Sequence, residues 1–202
     1  MPEASEAFED LLGPVLSNLT IKLSGQQVNL LSFHYKLLMQ WNRKMNLSAI
    51  RAPEEVVRRH FGESLFLAKS LADAAGTLLD VGSGAGFPGI PIAVYRPDLH
   101  ITLVESIAKK ATFLREATRE LRNVRVLNAR AETLEDEYDW VAMRAVAPAL
   151  LLPRLTKLAR NLALLVTHQA VAELQHNTEI RWESPHPLPW SQGRVLLIGR
   201  RA

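Results

Sequence analysis

Between residues 24 and 41 apolar side chains recur at three- and four-residue intervals (Val28, Leu31, Tyr35, Leu38), the period of a helix with one buried face. Ser24 and Gln27 precede that run with the spacing of a capping box, which sets the helix start. Trp41-Asn42-Arg43-Lys44-Met45-Asn46-Leu47 breaks the period and reads as a loop. Pro53 suits the first turn of a second helix, and Glu54 and Glu55 complement its dipole. That helix runs through Val56, His60, Leu65 and Ala68 toward Leu71, and Gly76 ends it. Residues 1–75 are therefore expected to form a helical extension, and 76–202 a domain of different texture.

From Thr77 onward short apolar runs alternate with amphipathic stretches, which predicts an α/β fold with a mostly parallel, doubly wound sheet. Strands are expected over Thr77–Val81, His100–Glu105, Val124–Leu127, Trp140–Met143, Leu162–Thr167 and Arg194–Ile198, with a weaker candidate at Ile180–Trp182. Helices are expected over residues 88–96, stopped by Pro97, over Ala108–Leu121, and over residues 149–160. There is no internal repeat or low-complexity segment.

The first of these strands runs into Asp80-Val81-Gly82-Ser83-Gly84-Ala85-Gly86-Phe87-Pro88-Gly89. Glycines at alternate positions after a strand make a turn closed to bulkier residues and let a ligand approach bare backbone. Two frames fit. Gly84–Gly89 matches the G-x-G-x-x-G of dinucleotide-binding turns. Counted from Asp80, D-x-G-x-G-x-G resembles the first motif of Rossmann-like S-adenosylmethionine (SAM) methyltransferases. In that frame Asp80 faces the ammonium of a methionine moiety, Gly82, Gly84 and Gly86 hold the methionine end, and Phe87 lies against the cofactor. Glu105 closes the second strand about twenty residues on, where a carboxylate accepts hydrogen bonds from both ribose hydroxyls of NAD or SAM. Ala131-Glu132 follows the third strand, the usual place of adenine contacts in this fold.

Composition narrows the class. At 202 residues, with 48% hydrophobic and 22% charged positions, the chain is long enough for a sizeable core and is globular in character. No apolar run nears the ~20 residues of a membrane span, and the acidic N-terminus (Glu3, Glu6, Glu9, Asp10) is unlike a signal peptide, so a cytoplasmic protein without membrane contact is expected. Cysteine is absent, which excludes disulfides, cysteine zinc sites and a cysteine nucleophile; no metal is expected. The net charge of +3 says little, but seven basic residues lie between Lys109 and Arg130 against the acids Glu116 and Glu120. Lys109, Lys110 and Arg115 are candidate RNA phosphate contacts, and a solvated helix face is the alternative.

Read in order, Asn46-Leu47-Ser48-Ala49-Ile50, Arg59-His60-Phe61, Glu63-Ser64-Leu65, Asp80–Pro91, Leu103-Val104-Glu105-Ser106, Arg130-Ala131-Glu132 and Arg144-Ala145-Val146-Ala147 resemble the RsmG family (also called GidB) over roughly residues 25–168. That resemblance implies a SAM-dependent bacterial methyltransferase acting on N7 of a guanine in the 530 loop of 16S rRNA, guanine 527 in the family. It also implies assembled or assembling 30S subunits as partner, a monomeric enzyme, and SAM contacts at Gly82, Phe87, Ala131, Glu132 and Arg144. Ser48 and Glu63 stand where the family has threonine and aspartate. Thr167-His168-Gln169 lacks the lysine expected after the fifth strand, and Gly193-Arg194 replaces an Arg-His pair, which puts the RNA contacts there in question.

The residues agree with an undemanding target atom. Guanine N7 keeps an unprotonated lone pair at neutral pH, so alignment and desolvation suffice without a general base. Cytosine-C5 transfer normally needs a cysteine, and exocyclic-amine transfer an Asn/Asp-Pro-Pro-aromatic motif after the fourth strand, where Met143-Arg144-Ala145-Val146-Ala147 stands instead. Arg144 is the leading catalytic-site candidate, with a salt bridge to the nearby acidic run as its structural alternative; His60 ranks lower, as a packed structural histidine. An NAD-dependent oxidoreductase and a non-catalytic RNA-binding protein on a Rossmann-like scaffold remain the competing readings.

Overall fold

The computed structural model describes residues 3–71, 76–144 and 148–201. Four helical pieces come first: α1 (Glu3–Leu19), α2 (Gly25–Trp41), α3 (Pro53–Val56) and α4 (Glu63–Ser70), the last two joined by a π-helical segment over Val57–Gly62. Alternating strands and helices follow as β1 (Thr77–Val81), α5 (Gly89–Tyr95), β2 (His100–Val104), α6 (Ala108–Ala117), β3 (Val124–Leu127), a 3-10 turn at Ala131–Thr133 and β4 (Tyr138–Met143). The chain ends with α7 (Pro148–Leu158), β5 (Ala159–Thr167), α8 (His168–Gln175), β6 (Ile180–Trp182), β7 (His186–Pro187) and β8 (Arg194–Arg201).

The strands form one sheet in the order β3-β2-β1-β4-β5-β8-β6, with β7 also pairing β8. β1 to β5 are parallel and β8 runs antiparallel to β5. The chain winds outward from β1 in one direction through β2 and β3, and from β4 in the other. A crevice at the carboxyl ends of β1 and β4 is therefore the topological switch point where such sheets bind ligands.

Side chains of successive strand residues go to opposite faces, and the core divides accordingly. Leu78, Leu103, Ala163, Leu165 and Leu196 pack on one face with Phe61, Leu65, Ile90 and Phe113. Leu79, Val141, Leu162, Leu164 and Leu197 pack on the other with Leu155, Leu158, Val171 and Leu174. The N-terminal helices belong to the first of these clusters through Phe8, Leu12, Leu31 and Leu38, so their apolar stripes share the sheet's core. The expected boundary at 75/76 falls beside residues 72–75, which lie outside the described residues.

Most expected elements form, and the departures have local causes. The capping box is complete: Ser24 Oγ accepts the Gln27 amide and the Gln27 side chain accepts the Ser24 amide. The helix expected from Pro53 to Leu71 is interrupted by the π segment, whose wider turn buries His60, Phe61 and Gly62 consecutively. α6 stops at Ala117 rather than Leu121, where Thr118 Oγ1 bonds the Leu114 carbonyl. β5 starts three residues before Leu162 because Ala159 already pairs with Tyr138. α1 and α8 are helices that the hydrophobic period did not single out.

Candidate functional site

The glycine turn leaves β1 at the switch point. Gly82, Gly84 and Gly86 hold φ of 70°, 55° and 88°, the left-handed region that only glycine enters freely. A Cβ on Gly82 would meet nothing within 4 Å and would project into open space, whereas one on Gly89 would lie 2.2 Å from Leu103 Cδ2 and 2.6 Å from Asp80 Oδ2. Gly82 thus leaves room for a ligand, and Gly89 lets the first turn of α5 pack against β1 and β2.

Three side chains from different elements brace this turn. Asp80 Oδ2 in β1 accepts the Gly89 amide (3.0 Å). Glu105, just past β2, accepts the Gly84 amide through Oε2 (3.0 Å) and the Ile107 amide through Oε1 (2.8 Å). His34 in α2 donates from Nε2 to the Ala85 carbonyl (2.8 Å) and packs its ring 4.8 Å from that of Phe87. Asp80 is fully buried and its Oδ1 has no hydrogen-bond partner. Burial lifts its carboxyl to about 7 against the opposing pull of the Gly89 amide. A side chain with no exposed surface cannot meet a ligand's ammonium in this conformation, so Asp80 acts here on the loop backbone.

Beside the turn lies a cavity of about 300 Å³ lined by Val81, Gly82, Val104, Ser106, Arg130, Ala131, Glu132 and Leu151 among others. It brings together three residues expected at a cofactor (Gly82, Ala131 and Glu132) over an apolar floor of Val81, Val104 and Leu151. The open space at Gly82 and that floor fit an adenosine-bearing group. Glu105 stands behind Gly84, with both oxygens engaged and a second lone pair on each. Gly84, Gly86, Phe87 and Arg144 lie outside the cavity lining.

Arg144 directly follows β4 and belongs to a second cluster, which touches Phe87 through His60. His60 stacks on Phe87 at 4.6 Å with the rings 12° apart. Arg144 Nη1 donates to His60 Nδ1, and a guanidinium has no acceptor, so His60 carries its proton on Nε2 and donates it to Ser48 Oγ (2.7 Å). Burial, then the neighbouring Arg144, hold the His60 pKa down to about 2. Arg144 Nε and Arg194 Nη1 approach the same Glu63 oxygen at 3.3 and 3.2 Å, both at ion-pair distance without hydrogen-bond alignment. Burial raises the Glu63 pKa despite Arg144, Arg194 and Arg59, while Arg144 falls only to about 10 and keeps its charge at neutral pH. Arg144 therefore pairs with Glu63 of α4 rather than with the acidic run after β3. The rest of its motif, Ala145-Val146-Ala147, lies outside the described residues.

A family model described as rRNA small subunit methyltransferase G (GidB) matches residues 27–179. The chain belongs to the rRNA small subunit methyltransferase G family. A family protein from Stenotrophomonas maltophilia (strain K279a) is 41% identical over 175 residues, 80% of this chain and 81% of that protein. One from Roseiflexus sp. (strain RS-1) is 45% identical over 135 residues, 63% of this chain and 58% of that protein. The chain thus spans little more than half the length of that relative. Among solved structures, magnesium protoporphyrin IX methyltransferase from Synechocystis PCC 6803 with bound SAM superposes with a TM-score of 0.64 at 12% identity, over 84% of this chain and 97% of that one. A ribosomal protein L11 methylase from Lactobacillus delbrueckii subsp. bulgaricus gives 0.60 at 11% identity, over 71% and 80%. At such identities the likeness is one of fold, the Rossmann-like fold of SAM methyltransferases.

The two segments that depart from the family pattern are placed by local contacts. Thr167 caps α8 through its hydroxyl, and the His168 amide donates to the Gly193 carbonyl, so both positions have structural work. Arg194, at the position where the chain departs from the family's Arg-His pair, reaches Glu63. The hydrophobic period does not single out His34, although a histidine on the Leu31–Leu38 stripe is a polar residue at a buried helical position. Lys109 and Arg115 are exposed on α6, Lys110 is half-buried, and none pairs with a carboxylate among the described residues. Also among the described residues, no group of three His, Asp or Glu side chains could hold a metal ion, and no helix is long and apolar enough to cross a membrane.

Proposed function

We propose that this chain transfers the methyl group of SAM to N7 of a guanine in the 530 loop of 16S rRNA, guanine 527 by family resemblance, within assembled or assembling small subunits. The observation that carries the reading is Arg144, a charged and largely buried guanidinium at the carboxyl end of β4, held by His60 and Glu63 across the switch point from the Gly82 cavity. SAM would supply an electrophilic methyl on a sulfonium. Gly82, Ala131 and Glu132 would take its adenosine part, with Glu105 holding the loop and offering lone pairs to the ribose hydroxyls; Gly84, Gly86 and Phe87 would border the methionine end.

The chain's own residues then have one task, which is to align the guanine lone pair and exclude water. Phe87 and His60, buried and stacked on each other, form a rigid backing for Arg144, which presents N–H donors suited to the O6 edge of a guanine. His60 stays neutral and serves Arg144 as an acceptor, so it is a positioning residue. Lys109, Lys110 and Arg115 would meet backbone phosphates.

The test is transfer of a labelled methyl group from SAM to undermethylated small subunits, followed by chemical cleavage at N7-methylguanine. Cleavage at one guanine of the 530 loop is expected, with SAM and not NAD bound at equilibrium. Arg144→Ala should abolish transfer while the chain still folds, at a melting temperature lowered because buried Glu63 and His60 lose a partner. Label at another atom, or near-normal transfer by the variant, refutes the assignment.

A further inference from the structure

Around Glu63 the structure gathers more positive charge than it neutralises. Glu63 is 1% exposed, and a single one of its oxygens faces both Arg144 and Arg194, whose side chains are 13% and 17% exposed. Arg59, four residues before Glu63, adds its field to the same carboxylate and to Arg144. Its own acidic neighbour, Glu55, stands 3.7 Å away toward solvent, with both side chains more than one-third exposed. The Nε atoms of Arg59 and Arg144 are buried and lack hydrogen-bond partners.

We propose that Arg59 and Arg194, gathered beside Arg144, form a binding site for a backbone phosphate of the RNA substrate, with Glu63 as the internal counter-charge that holds the guanidiniums when RNA is absent. The inference rests on the RNA-methyltransferase reading above and deepens it. Guanidiniums present flat forks of N–H donors that match phosphate oxygens, and excess forks around one carboxylate leave donors to spare. The position agrees. Arg144 leaves β4 at its carboxyl end, and Arg194 opens β8 opposite Thr167, the last residue of β5. Both therefore lie at the ligand-binding edge of the sheet, on the β4–β5 side of the switch point, away from the cavity lined by Gly82 and Ala131. A phosphate bound there would sit beside Arg144, the residue that would face the target guanine. The Gly193-Arg194 departure from the family pattern is then a relocated phosphate contact rather than a lost one.

The experiment measures binding of undermethylated small-subunit 16S rRNA across a salt series, with SAM binding measured in parallel. For Arg194→Gln and for the more exposed Arg59→Gln, the slope of log affinity against log salt should fall by about 0.7–0.9 per lost contact. The SAM dissociation constant should stay within twofold, and Arg194→Lys should restore most of the slope. An unchanged slope in both glutamine variants overturns the site. So does a tenfold loss of SAM affinity at unchanged slope, which would make the cluster a seat for the cofactor's carboxylate. Should Arg194→Gln fail to fold, Arg59→Gln decides. If the unaltered protein binds the RNA and transfers methyl, a negative result falls on this site alone; if it does neither, the functional reading falls with it.

Discussion

At the scale of single residues, His34 does what no surface residue could. Its Nε2–H closes the Ala85 carbonyl inside a ring of Phe61, Phe87 and Phe113, and burial holds its pKa near 4 so that it stays neutral. Replacing it with leucine would strand a buried carbonyl at a cost of about 1–3 kcal/mol. His34→Leu should therefore lower the melting temperature and weaken SAM binding, read by calorimetry, and His34→Gln should recover part of both by restoring an N–H donor. The positions of Glu105 and Arg144 just past β2 and β4, and of Ala131 after β3, were legible because the motif order follows the strands. Asp80 was legible as a position, but its bond to the Gly89 amide was not: a sequence shows a carboxylate before glycines, not which amide its oxygen accepts. Glu63 and Arg194 were harder still, since they stand 131 positions apart and meet only once the chain between them has folded.

The glycine turn is the element on which site and fold depend together. Gly82 and Gly89 make a clean contrast, because one faces open space and the other faces Leu103 and Asp80. Gly82→Ala should cost about 1–3 kcal/mol of backbone strain, but its larger effect should be loss of SAM binding as the methyl enters the cavity. Gly89→Ala must push apart α5 and β2, an overpacking cost of about 1–3 kcal/mol or more in melting experiments. The strands were readable because buried parallel strands are short, nearly continuous apolar runs. The π segment was not, since its sequence keeps the helical hydrophobic period and only the backbone widens. The end of α6 was missed for a related reason: Leu121 continues the period although Thr118 has already turned inward to bond Leu114.

For the whole molecule, buried titratable groups set opposing pH dependences. His34 and His60 are held neutral, so the unfolded chain takes up protons below about pH 6.5 that the folded state refuses, and stability is lost as pH falls below that value. Asp80 works the other way: its folded carboxyl keeps a proton up to about pH 7, so its contribution is lost as pH rises from about 4 to 7. Melting temperature against pH should show Asp80→Asn gaining on the unaltered protein across pH 4 to 7. The deficit of His34→Gln should shrink below pH 6.5. Fold class could be read from the alternation of elements, but the shared core of α1, α2 and the sheet could not, because periodicity shows that a face is buried and not against what. The sheet order has one more consequence, for association. On one side the sheet ends in the four residues of β3, with Arg125 exposed; on the other it ends in the three of β6, with Arg181 exposed, and the two of β7. Margins so short and charged offer little unpaired backbone to a strand from another chain, so the sheet resists edge-to-edge aggregation while its carboxyl rim stays open to ligands.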